Sequence, residues 1–471
     1  MRRLKLHCLL YLALGAALAG CGPSSHGLGE GTAGGSTVPV PLLMTDTPPT
    51  GVTPFSFEVT ISSAALMPGN VSVLSAPTTV EITRLQTETA SLSTIDVNPA
   101  SYTSLVVTYA NPSLTFENNT NATITVGGTA CTSGSVCTAS PTSTNQTATL
   151  TFPSALVVSS TSPQAVLLDL NLATLFSNAL AADFSAGSSV SAISPVTQNG
   201  PFGAIEDFVG QVEAENVANS TITIGNSSST LVATVNSSTT FDDFPGTACG
   251  TPSFACIADN QILSADLSVQ ANGTLVAENL WFKDANASDT EVEGVITAIN
   301  VAAQQFTYVV LNESAFVPGL TVGNVATVHW NVAPTTTTFA ADDMGVNTAG
   351  QLFAMPTDLL VGQEVSVRRN PASSGISINA DRVLLRASRI TAIVVGPIAF
   401  PNMTVGVLPS FFGAAGTSQI IVTVSTTGAT EYGGAATVFT EIPINGVVSV
   451  RGQLFRNAGS PAMLATKVIL N

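Results

Sequence analysis

Almost every periodic segment of the chain alternates apolar and polar residues with a period of two. These stretches are rich in Val, Ile, Thr and Phe and end at Gly, Pro, Asn or Ser. A period of two places successive side chains on opposite faces of a pleated strand, so it predicts half-buried β-strands. Phe55, Phe57, Val59 and Ile61 fall on one face of such a strand. Phe306, Tyr308 and Val310 do so on a second, and Val328, Trp330 and Val332 on a third. The clearest helical spacing is short: Leu172, Leu175, Phe176 and Leu180, at i, i+3, i+4 and i+8. The pattern predicts an all-β protein.

From Phe208 onward the pattern repeats. Three strand starts align, at Gly210-Gln-Val212-Glu-Ala214, Gly294-Val-Ile296-Thr-Ala298 and Ser388-Arg-Ile390-Thr-Ala392. Three strand ends align as well, carrying Ala277 with Leu280, Ala380 with Val383, and Ala465 with Val468. Between them lie Thr240-Phe241, Thr338-Phe339 and Glu431-Tyr432, then segments ending in Ser264, Ser366 and Ser449. The units start 84 and then 94 residues apart, and the third runs 84 residues to Asn471. That length suits a small closed barrel of about five or six strands. Repeats are therefore expected at 208–286, 291–386 and 388–471, with the three alanines facing inward. These landmarks resemble domain-of-unknown-function family 5666, whose repeats look like small oligonucleotide/oligosaccharide-binding-type barrels.

Residues 38–200 form the first folded unit. It opens with Pro39-Val40-Pro41-Leu42-Leu43-Met44-Thr45-Asp46-Thr47-Pro48. Later come Asn98-Pro99-Ala100-Ser101-Tyr102 and Ala165-Val166-Leu167-Leu168-Asp169-Leu170. In this order they resemble domain-of-unknown-function family 4382, an envelope family, with Thr47, Ser101 and Asn171 departing from its pattern. The resemblance implies a β-sandwich and supplies no activity. A Ser/Thr/Asn-rich stretch from Asn118 to Thr149 is expected to lengthen one loop.

The N-terminus pairs a basic start (Arg2, Arg3, Lys5) with an apolar run from about Leu9 to Leu18, then Leu18-Ala19-Gly20-Cys21. Such a run is too short to span a bilayer and reads as a secretory leader. A cysteine directly after the cut resembles the bacterial lipobox, so residues 1–20 are expected to be removed and Cys21 to carry lipid. Several acyl chains meet the two-signal requirement for stable anchoring. Gly22 stands where an aspartate would favour the inner membrane, so the outer membrane is expected, with the body periplasmic or surface-facing. Residues 21–37 form a lipidated Gly/Ser-rich tether.

Charge narrows the reading further. The chain has 13 basic and 30 acidic residues, a net charge of -17. Phosphate binding needs clustered Lys and Arg, so nucleic acid is excluded as a partner. Five basic residues do cluster, Arg368, Arg369, Arg382, Arg386 and Arg389. They read either as a patch for an anionic ligand or as partners of acids such as Glu364 and Asp381. Among the cysteines, Cys131 with Cys137 and Cys249 with Cys256 enclose turn-rich segments and predict two local disulfides in an oxidising compartment. Cys8 leaves with the leader.

Catalytic constellations are sparse. His26 lies in the tether, and His329 alternates with Val328 and Trp330 toward a polar face. No Gly-x-Ser-x-Gly elbow or Walker loop appears. Asp242-Asp243 and Asp342-Asp343 follow equivalent aromatics and are weak candidates for calcium, against a reading as exposed acidic loops. No cofactor is expected. The sequence predicts a non-catalytic, membrane-anchored envelope lipoprotein, a β-sandwich followed by three tandem barrels, that binds envelope proteins or surface polysaccharide. The rival expectation is an envelope glycan-active hydrolase using paired carboxylates.

Overall fold

The period-two segments become thirty strands among the described residues, against two short α-helices and four 3-10 turns. The computed structural model describes residues 37–471 apart from 48–53, 119, 143, 162–163, 177–179, 186–189, 197–202, 227–228, 246–249, 286–289, 315–316, 332–335, 343, 345–349, 415 and 458–460. The leader and Cys21 lie outside the described residues, as does the tether except Thr37.

Two sheets face each other in the N-terminal sandwich. One runs Val190–Val196, Ala165–Asn171, Val38–Thr47, Ala90–Val97, and its two middle strands are parallel. The other runs Gln146–Val158, Ala100–Glu117, Pro54–Met67, Val71–Ser72, with Thr78–Glu81 and Val136–Ala139 added at its sides. Leu42, Met44, Phe57, Val59, Ile61, Tyr109 and Leu168 meet between them. Phe55 departs from the expected face: a register shift between Pro54 and Ser56 breaks the alternation, and Phe55 instead packs against Phe411 with tilted rings, 5.0 Å between centroids. The expected helix shrinks to one turn, Leu172–Leu175, since Phe176 is extended and pairs with Ala182. Leu172, Leu175 and Leu180 are buried all the same.

The stretch from Asn118 to Thr149 is more ordered than a lengthened loop. It contains a small hairpin, Ile124–Val126 with Thr129–Cys131, and a strand, Val136–Ala139, that pairs with Leu114–Glu117. Buried Asn118 organises it, its Nδ2 donating to the carbonyls of Ala122 and Cys131 at 2.8 Å each. Cys131 and Cys137 are bridged across the turn between.

Three barrels follow with identical strand order. The first uses Gly203–Asn216, Thr221–Gly225, Thr230–Thr234, Ile262–Val269 and Leu275–Asp284, and closes where Ala233 and Thr234 pair with Leu275 and Val276. The second uses Glu291–Asn300, Gln305–Glu313, Val325–His329, Glu364–Arg369 and Ser377–Leu385. The third uses Ala387–Val394, Asn402–Gly406, Gln419–Val424, Val447–Phe455 and Ala462–Leu470. A short extra strand lies parallel to each last strand in the same register: Phe241 opposite Leu280, Phe339 opposite Val383, Tyr432 opposite Val468. Ala277, Ala380 and Ala465 are buried at equivalent positions, as the repeat pattern predicts. Gly210 and Gly294 are needed because a Cβ there would lie 2.7 and 2.4 Å from the neighbouring strand. Ser388 fits the third position because the neighbouring first hairpin is paired only at Ile393 and Val394.

A clamp in each barrel escaped the sequence reading. The hydroxyl of Thr239 donates to the carbonyl of Ala277 at 2.7 Å, Thr337 to Ala380 at 2.6 Å and Thr430 to Ala465 at 2.7 Å. Each hydroxyl also accepts a backbone N–H, from Asn236, Asn331 or Ser425. One buried threonine thus satisfies two backbone groups where the chain crosses from the third strand to the extra strand. Thr337→Val keeps the shape and removes the hydroxyl. It is expected to cost about 1–3 kcal/mol, because a buried carbonyl and N–H lose their partner. Denaturant titration of Thr337→Val beside Thr338→Val, an exposed neighbour, checks this, and equal midpoints would contradict it.

Candidate functional site: a buried ion network

Charge is scarce in this chain, and much of it converges on one place inside the protein. Six cations, Arg84, Lys283, Arg386, Arg389, Arg451 and Lys467, face six carboxylates, Glu88, Glu206, Asp207, Glu293, Asp342 and Glu364. Their side chains are at most 15% exposed, so most of the pairs are shielded from water and salt.

Local backbone irregularities aim these groups. Glu206 and Asp207 sit at a register shift between Ile205 and Phe208, and Asp207 has φ 56°. Further shifts occur at Glu293/Gly294 and Arg451/Gly452. A bulge turns a side chain away from the regular alternation, which is how strand residues reach a shared centre outside their own barrels. Gly452 allows its bulge, since a Cβ there would lie 2.1 Å from the carbonyl oxygen of Leu464.

Arg386 is the link residue between the second and third barrels. Its Nε donates to Glu293 Oε1 at 3.0 Å and its Nη2 to Ser264 Oγ at 2.8 Å. It also pairs with Asp207 at 3.3 Å and closely with Asp342, which in turn holds Lys283. Arg451 pairs with Asp207 and, at 3.2 Å, with Glu206. Arg389 lies 2.9 Å from both Glu88 and Glu364.

The sandwich supplies Arg84 and Glu88 from the 3-10 turn Thr83–Gln86 and just beyond it. Arg84 reaches Glu293 at 3.3 Å and Glu364 at 3.5 Å. Glu88 accepts the backbone N–H of Glu206 at 3.0 Å, and Gln86 accepts the hydroxyl of Thr391 at 2.7 Å. This short segment touches all three barrels. The four β units are therefore not beads on a string; residues 37–471 cluster as one compact unit.

Burial by itself raises the pKa of Asp207, but the guanidinium groups of Arg451, Arg386 and Arg389 outweigh it and hold the carboxyl well below its usual range. Asp266, which accepts the Asp207 N–H at 2.8 Å, is pushed up to about 7 by burial and by the negative Asp207. Burial and the Arg386 charge push Lys283 down to about 7. Where the sandwich meets the second barrel, burial raises Glu58 and Glu313 to about 7 each. Glu81 adds to the first and Glu58 to the second, while the Val317 N–H and Arg369 act against the second.

The predicted site residues scatter across this picture. Arg386 and Arg389 are buried and paired, Arg382 is bonded to Glu291, and Arg368 lies 2.9 Å from Asp284. These arginines and Arg369 do not form an open anion-binding patch, because carboxylates inside the protein already hold four of them. Glu364 is a partner, as the sequence suggested for Arg389, whereas Asp381 accepts from Asn370. Asp342 is an ion-pair partner of Lys283 and Arg386 rather than an exposed loop acid, which corrects both readings offered for it. Asp242 is half-buried and Asp243 exposed, Asp343 lies outside the described residues, and no acid cluster able to hold a metal occurs among the described residues. Cys256 is disulfide-bonded, and its expected partner Cys249 lies outside the described residues.

A cavity of about 480 Å³ opens at the junction of sandwich and first barrel, lined by Thr37, Val38, Ser160, Gln270, Asn272 and Thr274 among others. Its lining carries no charged or histidine side chain, so it holds no group for proton transfer. The network itself consumes its charges in pairs, and what it does is hold four units in one register.

Arg386→Met leaves Asp207, Glu293 and Asp342 short of a buried cation and is expected to destabilise by about 3–5 kcal/mol, read from the denaturant midpoint. A second outcome concerns pH. Asp266, Glu58 and Glu313 bind protons more tightly folded than unfolded, so their contribution is complete below about pH 4 and is lost as pH rises toward 7. Asp207 and Glu206, held low, act oppositely and lose their contribution only in stronger acid. Stability is therefore expected to be highest near pH 4 and to fall as pH rises to 7.5. Calorimetry at both pH values checks this, and Glu58→Gln should flatten part of the slope.

No family model and no curated protein matches the chain. Among solved structures it is similar to the crystal structure of a multidomain protein with nucleic acid binding domains from Streptococcus pneumoniae TIGR4. The identity is 10% and the TM-score 0.11, over 55% of this chain and 72% of that one. A likeness of that depth carries no argument about function.

Proposed function

We propose that the chain is a lipid-anchored, non-catalytic lipoprotein of the bacterial cell envelope, whose body serves as a binding or scaffolding module. The observation that carries this reading is Leu18-Ala19-Gly20-Cys21 behind a basic and apolar leader, followed by a Gly/Ser-rich segment and then a large β body. The resemblance to envelope families 4382 and 5666 supports the same compartment, as does the disulfide Cys131–Cys137, which needs an oxidising environment. Gly22 favours the outer membrane. The fusion of four β units through internal ion pairs supports a scaffold, because it makes one stiff body with loops displayed at several ends. Envelope proteins or surface polysaccharide are the partners this reading names.

Cys21→Ser is expected to move the protein from the membrane pellet to the soluble fraction after washing, and to abolish labelling by palmitate. Wash-resistant membrane attachment of that variant, without label, would overturn the anchor. Crosslinking from native membranes then identifies what the body holds.

A further inference from the structure

The three barrels differ at one equivalent end. There a buried residue (Ile257, Leu359 or Ile442) is followed three positions later by a residue with positive φ, Asn260, Gly362 or Asn445. Between them the first barrel places Asp259, exposed and charged. The second places Leu360 and Val361, which pack against the cluster holding Phe411 and Phe412. Phe412 lies so close to Gly362 that a Cβ there would meet its ring at 2.4 Å. The third barrel places Ile444, 57% exposed.

More apolar surface surrounds Ile444. Phe400 is 59% exposed, and its ring lies 5.6 Å from that of Phe439, next to exposed Val438. The loop from Phe439 returns to the first strand, where the Asn445 N–H donates to the Val394 carbonyl at 2.8 Å. Exposed Val395 follows directly, and exposed Val447 pairs with Ile393. Val395, Phe400, Val438, Ile444 and Val447 therefore share one end of the third barrel. Isolated exposed apolar residues are ordinary, whereas a group of this kind marks a contact surface.

Charge identifies the partner. From Ile390 to Thr430 the chain has no Asp, Glu, Lys, Arg or His, although its net charge is -17. Glu441, exposed in the loop between Val438 and Ile444, has its Oε2 held by the Thr437 N–H and hydroxyl. An acidic body is repelled by anionic lipid headgroups except where its surface is uncharged. The group is carried on protruding loops, and Asn445 places a side chain where the second barrel has Gly362, so an aromatic cap like Phe412 cannot dock in the same way. We infer that this end of the third barrel is a lipid-contacting surface, whose loops enter the headgroup region of the membrane. The inference deepens the envelope reading and rests on it for biological context.

The test uses full-length Cys21→Ser protein, purified without lipid, and vesicles of phosphatidylethanolamine and phosphatidylglycerol at 3:1. Reversible flotation with the vesicles at millimolar lipid is expected, unchanged in 0.5 M NaCl. Phe400→Ser with Ile444→Ser should weaken it about tenfold or more, since each removes an apolar side chain from the contact. Both sites are exposed, and an unchanged circular dichroism melt confirms folding. Phe400→Trp should show a blue shift in emission on vesicle addition. Absence of flotation, or equal flotation of the double variant, overturns the inference while leaving the Cys21 anchor standing. A photo-crosslinker at position 400 that captures protein and no lipid in native membranes overturns it in favour of protein docking. Wash-resistant Cys21→Ser in cells with no vesicle binding would defeat both readings.

Discussion

The Asp207 carboxylate meets the guanidinium groups of Arg386 and Arg451, with Arg389 at 3.8 Å, away from solvent. The arrangement of the other parts depends on that convergence. A carboxylate removed from water is costly unless opposite charge and hydrogen bonds replace the lost hydration. Those cations come from the link before the third barrel and from two of its strands, while Asp207 belongs to the first barrel. The charge can be satisfied only if the barrels are brought together in one way. Apolar surfaces tolerate sliding, but a guanidinium fork and its carboxylates have fixed directions, so the network acts on register more than on net stability.

The repeat makes this possible and is also broken by it. Each barrel has the same strand order, closure and threonine clamp, so each fills its own interior independently. On their outer faces equivalent positions diverge. Ser264, Ser366 and Ser449 are all buried, yet they bond Arg386, Glu291 and Thr391 respectively. Lys283 and Arg386 occupy matching positions in the repeat, three residues beyond Leu280 and Val383, where the third barrel has Asn471. Shared interiors with distinct exteriors give three copies of one fold distinct places around a common centre. The short segment Arg84–Thr89 completes that centre from the sandwich and touches each barrel.

For function, the consequence lies in what remains outside. Eight of the ten basic residues after Lys5 are in ion pairs among the described residues, most of them internal. The outer surface is left acidic and polar, interrupted by the apolar group at one end of the third barrel. Under the proposed envelope reading, such a body would hold position beside a membrane and present loops.

Much of the architecture was legible in the sequence because strand alternation and repeat spacing are local. Alanines at 277, 380 and 465 face inward because a small closed barrel has little room there, and the same register returns at each repeat. Phe55 and the truncated helix at Leu172–Leu175 were misread because a bulge and a turn reset the phase of a periodic pattern. The ion network was not legible, since Arg84, Asp207, Glu293 and Arg386 are far apart in the chain, and only Arg386 stood out, in a basic cluster whose buried partners the sequence does not show. The sequence by itself determined the all-β class and the threefold repeat, because those follow from period and length. Only the tertiary structure decided that the charges point inward: bulges re-aim single side chains, and the partners that make burial tolerable come from other units.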